Sequence, residues 1–370
     1  MNLFVLSELN PGNKHVGWSV SCSMESTLAQ VCNPTFIYPS PNQTLRLFDR
    51  FEISDSGVDY LQRYRHRLFK SWFTVDALPT LPEGVNVLLV VGLGPRFLLS
   101  IHALGPLLKQ FDLRLGYILD GFNPQHLDST LKDSLDHLFV IGSELAEDVQ
   151  RLHGISTSFL PLATDVLKQD LNLQHRPIDI LSYGRGNQDV HHVLHDRYGK
   201  LGSDRFYHYS TFFQPEVHDQ QEHIDLLENL LNRSKVSLCF EASDVGRFMG
   251  YSPILYRWFE AWAAGCTVVG KKPTGQGVAE LMQWENSAID LPNSPSDWIP
   301  FFEDLLEDES TLQRNAERNY REALLQHDWR YRFREMFSTV GLETPETLEE
   351  QIKQLRRKAY GMIPSVALSA

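Results

Sequence analysis

The chain has 370 residues, 42% apolar and 22% charged, which is globular composition with enough length for two ordinary domains. A net charge of −13 with no Lys/Arg stripe excludes nucleic acid as a partner, yet a few arginines and backbone N–H groups could still hold an anion locally. No signal-like start, no apolar run of ~18 residues and no C-x-x-C pair among four cysteines point to a cytoplasmic protein without transmembrane segment or disulfides.

Asn2 to Leu6 reads as a short buried strand, followed by a loop holding Gly12 and Gly17 and a helix from Trp18 to about Gln30. Val85 to Val91 is a continuous Val/Leu strand that ends in Gly92-Leu93-Gly94-Pro95, and a helical pattern runs from Phe97 to Gln110. Leu113 to Leu119 and Leu138 to Ile141 are further strands. Runs apolar on both faces and alternating with helices signal a parallel sheet covered on two sides. Leu160-Pro161-Leu162-Ala163-Thr164-Asp165 closes this half, and a polar stretch to Pro177 leads to a new strand, Ile178 to Tyr183.

The second half repeats the alternation: strand Phe206 to Tyr209, helix Gln221 to Asn232, strand Val236 to Phe240, helix Pro253 to Ala264, strand Thr267 to Val269, then Ser287 to Leu291. Asp297 to Glu307, Ser310 to Gln326, Trp329 to Phe337 and Thr344 to Tyr360 read as terminal helices. The expected fold is α/β, with two Rossmann-like doubly wound parallel-sheet domains: an N-terminal one over 1–170, a C-terminal one over 171–325, and helices over 326–370 crossing back to the first domain.

The most informative window is Tyr256-Arg257-Trp258-Phe259-Glu260-Ala261-Trp262-Ala263-Ala264-Gly265-Cys266-Thr267-Val268-Val269. A helix carries Arg257 and Glu260 one turn apart, ends at Gly265 as a C-cap, and passes into a buried strand. By itself the Arg257/Glu260 pair reads equally as a surface ion pair, and Arg257 could instead anchor the loop Gly246 to Ser252. This string resembles the C-terminal domain of group 1 glycosyltransferases of the GT-B fold, in particular the CgeB-like branch, where R-x-F-E-x-x-A-x-G-x-x-V-V recurs. Asp179-Ile180-Leu181-Ser182-Tyr183-Gly184-Arg185 resembles that family's opening strand and glycine turn, and Leu160 to Asp165 its interdomain segment. The resemblance covers roughly 85–330.

The resemblance implies a glycosyltransferase of hexosyltransferase type, metal-independent and retaining, with a UDP- or GDP-linked sugar as substrate and no separate cofactor. Glu260 would accept hydrogen bonds from the donor ribose hydroxyls, Arg185 and Arg247 would neutralise the diphosphate, and Gly184, Tyr256 and Arg257 would complete the donor site. Gly12 and Gly17 would let backbone approach the donor phosphates. Asp120, at the end of a strand, would orient an acceptor hydroxyl; with Arg185 it forms the candidate catalytic pair, although a turn cap before Gly121 is the plain alternative. The acceptor could be a glycan, a protein or a small molecule. Many relatives carry a second glutamate separated from the ribose one by seven intervening residues, and Ser252 stands there here, which motivates an alternative: a non-catalytic GT-B protein binding a sugar nucleotide or a protein partner.

Three other signals carry less. Gly92-Leu93-Gly94 is a partial dinucleotide fingerprint, the basis for an NAD(P)-dependent oxidoreductase, but Phe97 stands at the third glycine position and Pro95 removes a donor. His191 and His195 could clamp a metal, but no third ligand stands at a recognisable spacing, so no metal is expected. The aromatics Trp329, Tyr331, Phe333 and Phe337 read as packing of a helix that braces the first domain.

Overall fold

The structure, a computed structural model, describes residues 1–9, 15–43, 45–46, 71–184, 186–210 and 216–362. Gly12 and Arg185 therefore lie outside the described residues, as does the side chain of Arg247.

Among the described residues the chain builds a six-stranded sheet in the order β2-β1-β5-β6-β7-β8 and a five-stranded one in the order β10-β9-β11-β12-β13. The first comprises β1 (Asn2–Ser7), β2 (Thr35–Ile37), β5 (Asn86–Gly92), β6 (Leu113–Ile118), β7 (His137–Val140) and β8 (Thr157–Phe159); the short pair β3 (Ser40–Pro41) and β4 (Phe73–Thr74) lies apart and is antiparallel. The second comprises β9 (Ile178–Ser182), β10 (Tyr207–Tyr209), β11 (Ser234–Phe240), β12 (Thr267–Lys271) and β13 (Ile289–Asp290). Every pairing within these two sheets is parallel. Each sheet thus reverses direction once, between β1 and β5 and between β9 and β11, and crevices form outside the strand ends at such points. This is the doubly wound, two-lobed α/β arrangement expected from the alternating pattern.

The helices are α1 (Ser19–Cys32), α2 (Ser143–His153), α3 (Gln188–Tyr198), α4 (Gln220–Asn232), α5 (Tyr256–Ala263), α6 (Trp298–Glu307), α7 (Glu309–Gln326), α8 (Trp329–Thr339) and α9 (Glu346–Gly361). The predicted helix Phe97 to Gln110 is instead two 3-10 segments within Pro95–Gln110, parted where Gly105 takes φ +53 and Pro106 follows it. A left-handed glycine and a proline break the α-ladder in succession. The strand expected over Ser287 to Leu291 shrinks to Ile289–Asp290. No described helix is long and apolar enough to cross a membrane.

The crossing back to the first lobe is built on a buried ionic cluster. Arg330 of α8, 1% exposed, donates through Nη1 to Asp165 at 2.8 Å and Asp328 at 2.9 Å, and through Nη2 to Gln30 of α1 at 2.9 Å. Asp328 also accepts the Val166 N–H at 2.8 Å and caps α8. Pairing with two carboxylates offsets the desolvation of this buried guanidinium, so the cluster ties linker, α1 and α8 into one geometry.

Candidate functional site

Helix α5 buries Trp258, Phe259, Ala261, Trp262 and Ala263, and this apolar face fixes its rotation. It ends at Gly265, whose φ of +69 and crowded surroundings exclude a side chain: an added Cβ would lie 2.5 Å from Leu171 and 3.0 Å from the Ala316 carbonyl. Only glycine fits this left-handed C-cap. The Cys266 N–H returns to the Ala261 carbonyl at 2.9 Å, and the chain enters β12 at once.

With that rotation, Glu260 faces the first lobe. It lines a cavity of about 100 Å³ between α1, the linker after β8, α4 and α5, together with Ser23, Thr164, Lys168, Glu228 and Tyr256. Tyr183, at the end of β9, donates its hydroxyl hydrogen bond to Glu260 Oε2 at 3.1 Å. Burial is the main cause that pushes the Glu260 carboxyl up to about 7, against the opposing pull of the Tyr183 hydroxyl and Arg257. Tyr256, the first residue of α5, places its hydroxyl 3.3 Å from that of Thr164 in the linker. Lys168 and Glu228 form an ion pair on the same cavity wall.

Arg257 packs against the turn that follows β9. Its Nη1 donates to the Tyr183 carbonyl at 3.3 Å, its guanidinium lies 5.9 Å from the Tyr183 ring centroid, and a Cβ on Gly184 would sit 3.0 Å from its Nη2. Gly184 has φ +63 and its N–H donates to Ser210 at 3.1 Å. Arg257 and Glu260 therefore converge on Tyr183, a residue that stands inside the Ser182-Tyr183-Gly184 string but that sequence reasoning assigned no role.

The Arg247 backbone lies in the 3-10 turn Gly246–Phe248, within the loop joining β11 to α5. The next residue, Phe248, is fully buried against the first lobe: a Cβ on Gly121 would lie 2.2 Å from its ring. Asp120 precedes that glycine, is half-buried, and accepts the Gly121 N–H at 2.8 Å. Tyr251 pairs through its hydroxyl with Asp148 of α2, and the Gln276 N–H donates to Glu144 of α2 at 2.6 Å. The two lobes thus touch on the Asp120 side as well as across the Glu260 cavity. Sequence carries no signal for this second contact, because Phe248 and Gly121 are 127 positions apart and neither belongs to a motif.

Gly17 lies in a 3-10 turn, Val16–Trp18, where its N–H donates to His15 Nδ1 at 2.9 Å. Next to it the α4 residue Gln220 reaches across to Ser19 Oγ at 3.1 Å, so this loop also faces the other lobe. The Gly92-Leu93-Gly94 turn has its donors occupied from within: the Leu93 N–H donates to Glu8 Oε2 at 2.7 Å, and burial pushes that carboxyl up to about 7. A dinucleotide pyrophosphate would compete with this fixed carboxyl group for the same N–H groups, which counts against the oxidoreductase reading. Ser252 is buried, donates to Glu241 at 2.9 Å and accepts the Thr274 N–H at 3.0 Å. Its hydroxyl braces the loops beside β11.

Residues 189–338 match the family described as glycosyl transferase-like. No curated protein matches the chain. Among solved structures, an alpha-glucosyltransferase in complex with UDP and a 13-mer DNA is similar at TM-score 0.49 and 11% identity, over 92% of this chain and 100% of that one. A TarM variant from S. aureus, in complex with fondaparinux, alpha-GlcNAc-glycerol and UDP, is similar at TM-score 0.45 and 8% identity, over 68% of this chain. The chain spans 55% of the length of that protein. The spinosyn rhamnosyltransferase SpnG, complexed with thymidine diphosphate, is similar at TM-score 0.38 and 12% identity, over 87% of this chain and 96% of that one.

Proposed function

We propose, on the premise that residues 189–338 belong to the glycosyl transferase-like family, that this chain is a glycosyltransferase moving a sugar from a UDP- or GDP-linked donor to an acceptor hydroxyl. The observation that carries the reading is the placement of Glu260: a carboxylate on a glycine-capped helix, beside the β9/β11 reversal, lining a cavity shared by both lobes. A carboxylate accepts two hydrogen bonds from a vicinal diol, which suits the ribose of a nucleotide.

In this reading residues 171–325 hold the donor and residues 1–170 the acceptor, in the manner of the CgeB-like branch. Arg185, Arg247 and the backbone at Gly12, Gly17 and Gly184 are assigned to neutralise the diphosphate, whose growing negative charge needs arginines and N–H groups if no metal serves. The bond from the anomeric carbon to the diphosphate breaks, a bond to the acceptor oxygen forms, and the acceptor proton passes to Asp120 or to the leaving phosphate. Retention of configuration and metal independence follow from the family resemblance. The cavity of about 100 Å³ is below the roughly 300 Å³ at which small-molecule sites begin, so it holds the ribose portion of a donor and the lobes part to admit the rest.

A second reading, a GT-B protein that binds a sugar nucleotide without turning it over, is favoured by Ser252, whose hydroxyl is committed to Glu241. Incubation with UDP- and GDP-sugars separates the two. Release of nucleoside diphosphate, abolished by substituting Glu260, supports the enzyme; saturable binding without release supports the second reading; the absence of both removes the donor assignment.

A further inference from the structure

Where α7, α8 and α9 meet, a groove of about 540 Å³ opens, and no residue lining it also lines the interlobe cavity. Three arginines converge on it: Arg332 and Arg334 from α8 and Arg356 from α9. In a chain of net charge −13 such a local excess of guanidinium needs an explanation. We infer that this groove binds a small phosphorylated molecule, separately from the donor cleft.

Arg332 carries the argument. It is 4% exposed, and its two hydrogen bonds go to neutral acceptors, the Leu162 carbonyl at 3.2 Å and His327 Nδ1 at 3.3 Å. Among the described residues no carboxylate stands within ion-pair distance of it; Glu335, which also lines the groove, is near enough to be felt but not to touch. A buried cation without a contacting anion is costly, and an incoming dianion would relieve that cost. Burial does hold the Arg332 pKa below that of a free guanidinium, but arginine starts so high that it stays charged.

The other two arginines form the walls. Arg334 lies 5.5 Å from the Tyr331 ring centroid and 3.9 Å from Glu349, a weak rim pairing, and Arg356 stands near the Tyr331 hydroxyl. The Ser338 hydroxyl lines the same groove. Planar guanidinium forks around a hydroxyl match the oxygens of a phosphate monoester. The volume exceeds what orthophosphate fills and falls in the ~300–1,000 Å³ range of small-molecule sites, which points to a phosphorylated metabolite.

The test uses the full chain and calorimetric titration with ribose 5-phosphate, glycerol 3-phosphate and inorganic phosphate at matched ionic strength. At least one ester is expected to bind saturably, and the double variant R334A/R356A to bind it at least about tenfold more weakly. Ser338→Glu, which places a carboxylate on the exposed rim, is a second variant expected to abolish binding should the first fold poorly. Glu260→Ala is expected to leave the affinity unchanged. The inference falls if neither ester saturates, if orthophosphate binds while both esters are excluded, if Ser338→Glu binds like the parent chain, or if Glu260→Ala removes binding and so locates the ester in the cleft.

Discussion

Glu260 has one oxygen committed to Tyr183 and a pKa raised to about 7, so the group changes state within an ordinary assay range. The ionised form accepts the hydrogen bonds of a diol, so donor affinity is expected to strengthen by up to about tenfold between pH 6 and pH 8. Titration of UDP against the protein at both values checks this, and Glu260→Gln should bind more weakly and lose the dependence. The stability effect has the opposite sign. A carboxyl raised from 4.5 to about 7 keeps its proton in the folded chain after the unfolded chain has lost it, so stability falls as pH rises through that window. Glu8 and Glu25, both also raised to about 7 chiefly by burial, add to the same fall. The melting temperature is thus expected to decline from pH 5 to pH 7, less steeply in Glu25→Gln; a flat profile would count against these shifts. At this scale the sequence showed Glu260 through its string, while Tyr183, Lys168 and Glu228 were silent because their roles depend on where α4 and the linker pack.

The loop between β11 and α5 connects the two sides of the cleft. Phe248 fills the space over Gly121, so Gly121→Ala must push the ring aside, at a cost of about 1–3 kcal/mol for overpacking. Phe248→Ala removes a buried ring at about 3–5 kcal/mol. Because the two changes act on one contact, the double variant should be little worse than Phe248→Ala alone, and denaturant unfolding of all three proteins measures it. Strict additivity would mean the contact is absent in solution. How much was legible also varies with the element. Val87 to Val91 of β5 reads as a buried strand because every side chain is apolar, and Gly265 reads as a helix stop because glycine takes a left-handed φ at least cost. The three-residue strands β2 and β8 escaped notice: Thr-Phe-Ile and Thr-Ser-Phe are too short for periodicity and form through pairing with β1 and β7. The 3-10 form of Pro95–Gln110 was hidden for a different reason, since its apolar spacing mimics an α-helix until Gly105 and Pro106 are given their backbone consequences.

Across the whole molecule, the lobes are joined at the Arg330 cluster and meet again at Phe248 and around the Glu260 cavity. Arg330→Ala leaves Asp165 and Asp328 buried without their cation, and a loss of about 3–5 kcal/mol is expected, with the two lobes unfolding further apart in temperature than in the parent chain as they uncouple. Calorimetry would record both effects. The two-lobed plan was legible because each half repeats the strand and helix alternation, whereas the relative setting of the lobes was not, being fixed by contacts between residues as far apart as Gln30 and Arg330. The functional account depends on that setting, since it brings α1 and the linker over Glu260. A crystal structure of the protein with bound UDP or GDP tests it most directly. The account predicts both ribose hydroxyls at hydrogen-bond distance from the Glu260 carboxylate; an ordered nucleotide whose ribose lies elsewhere, with Glu260 still held only by Tyr183, would contradict it.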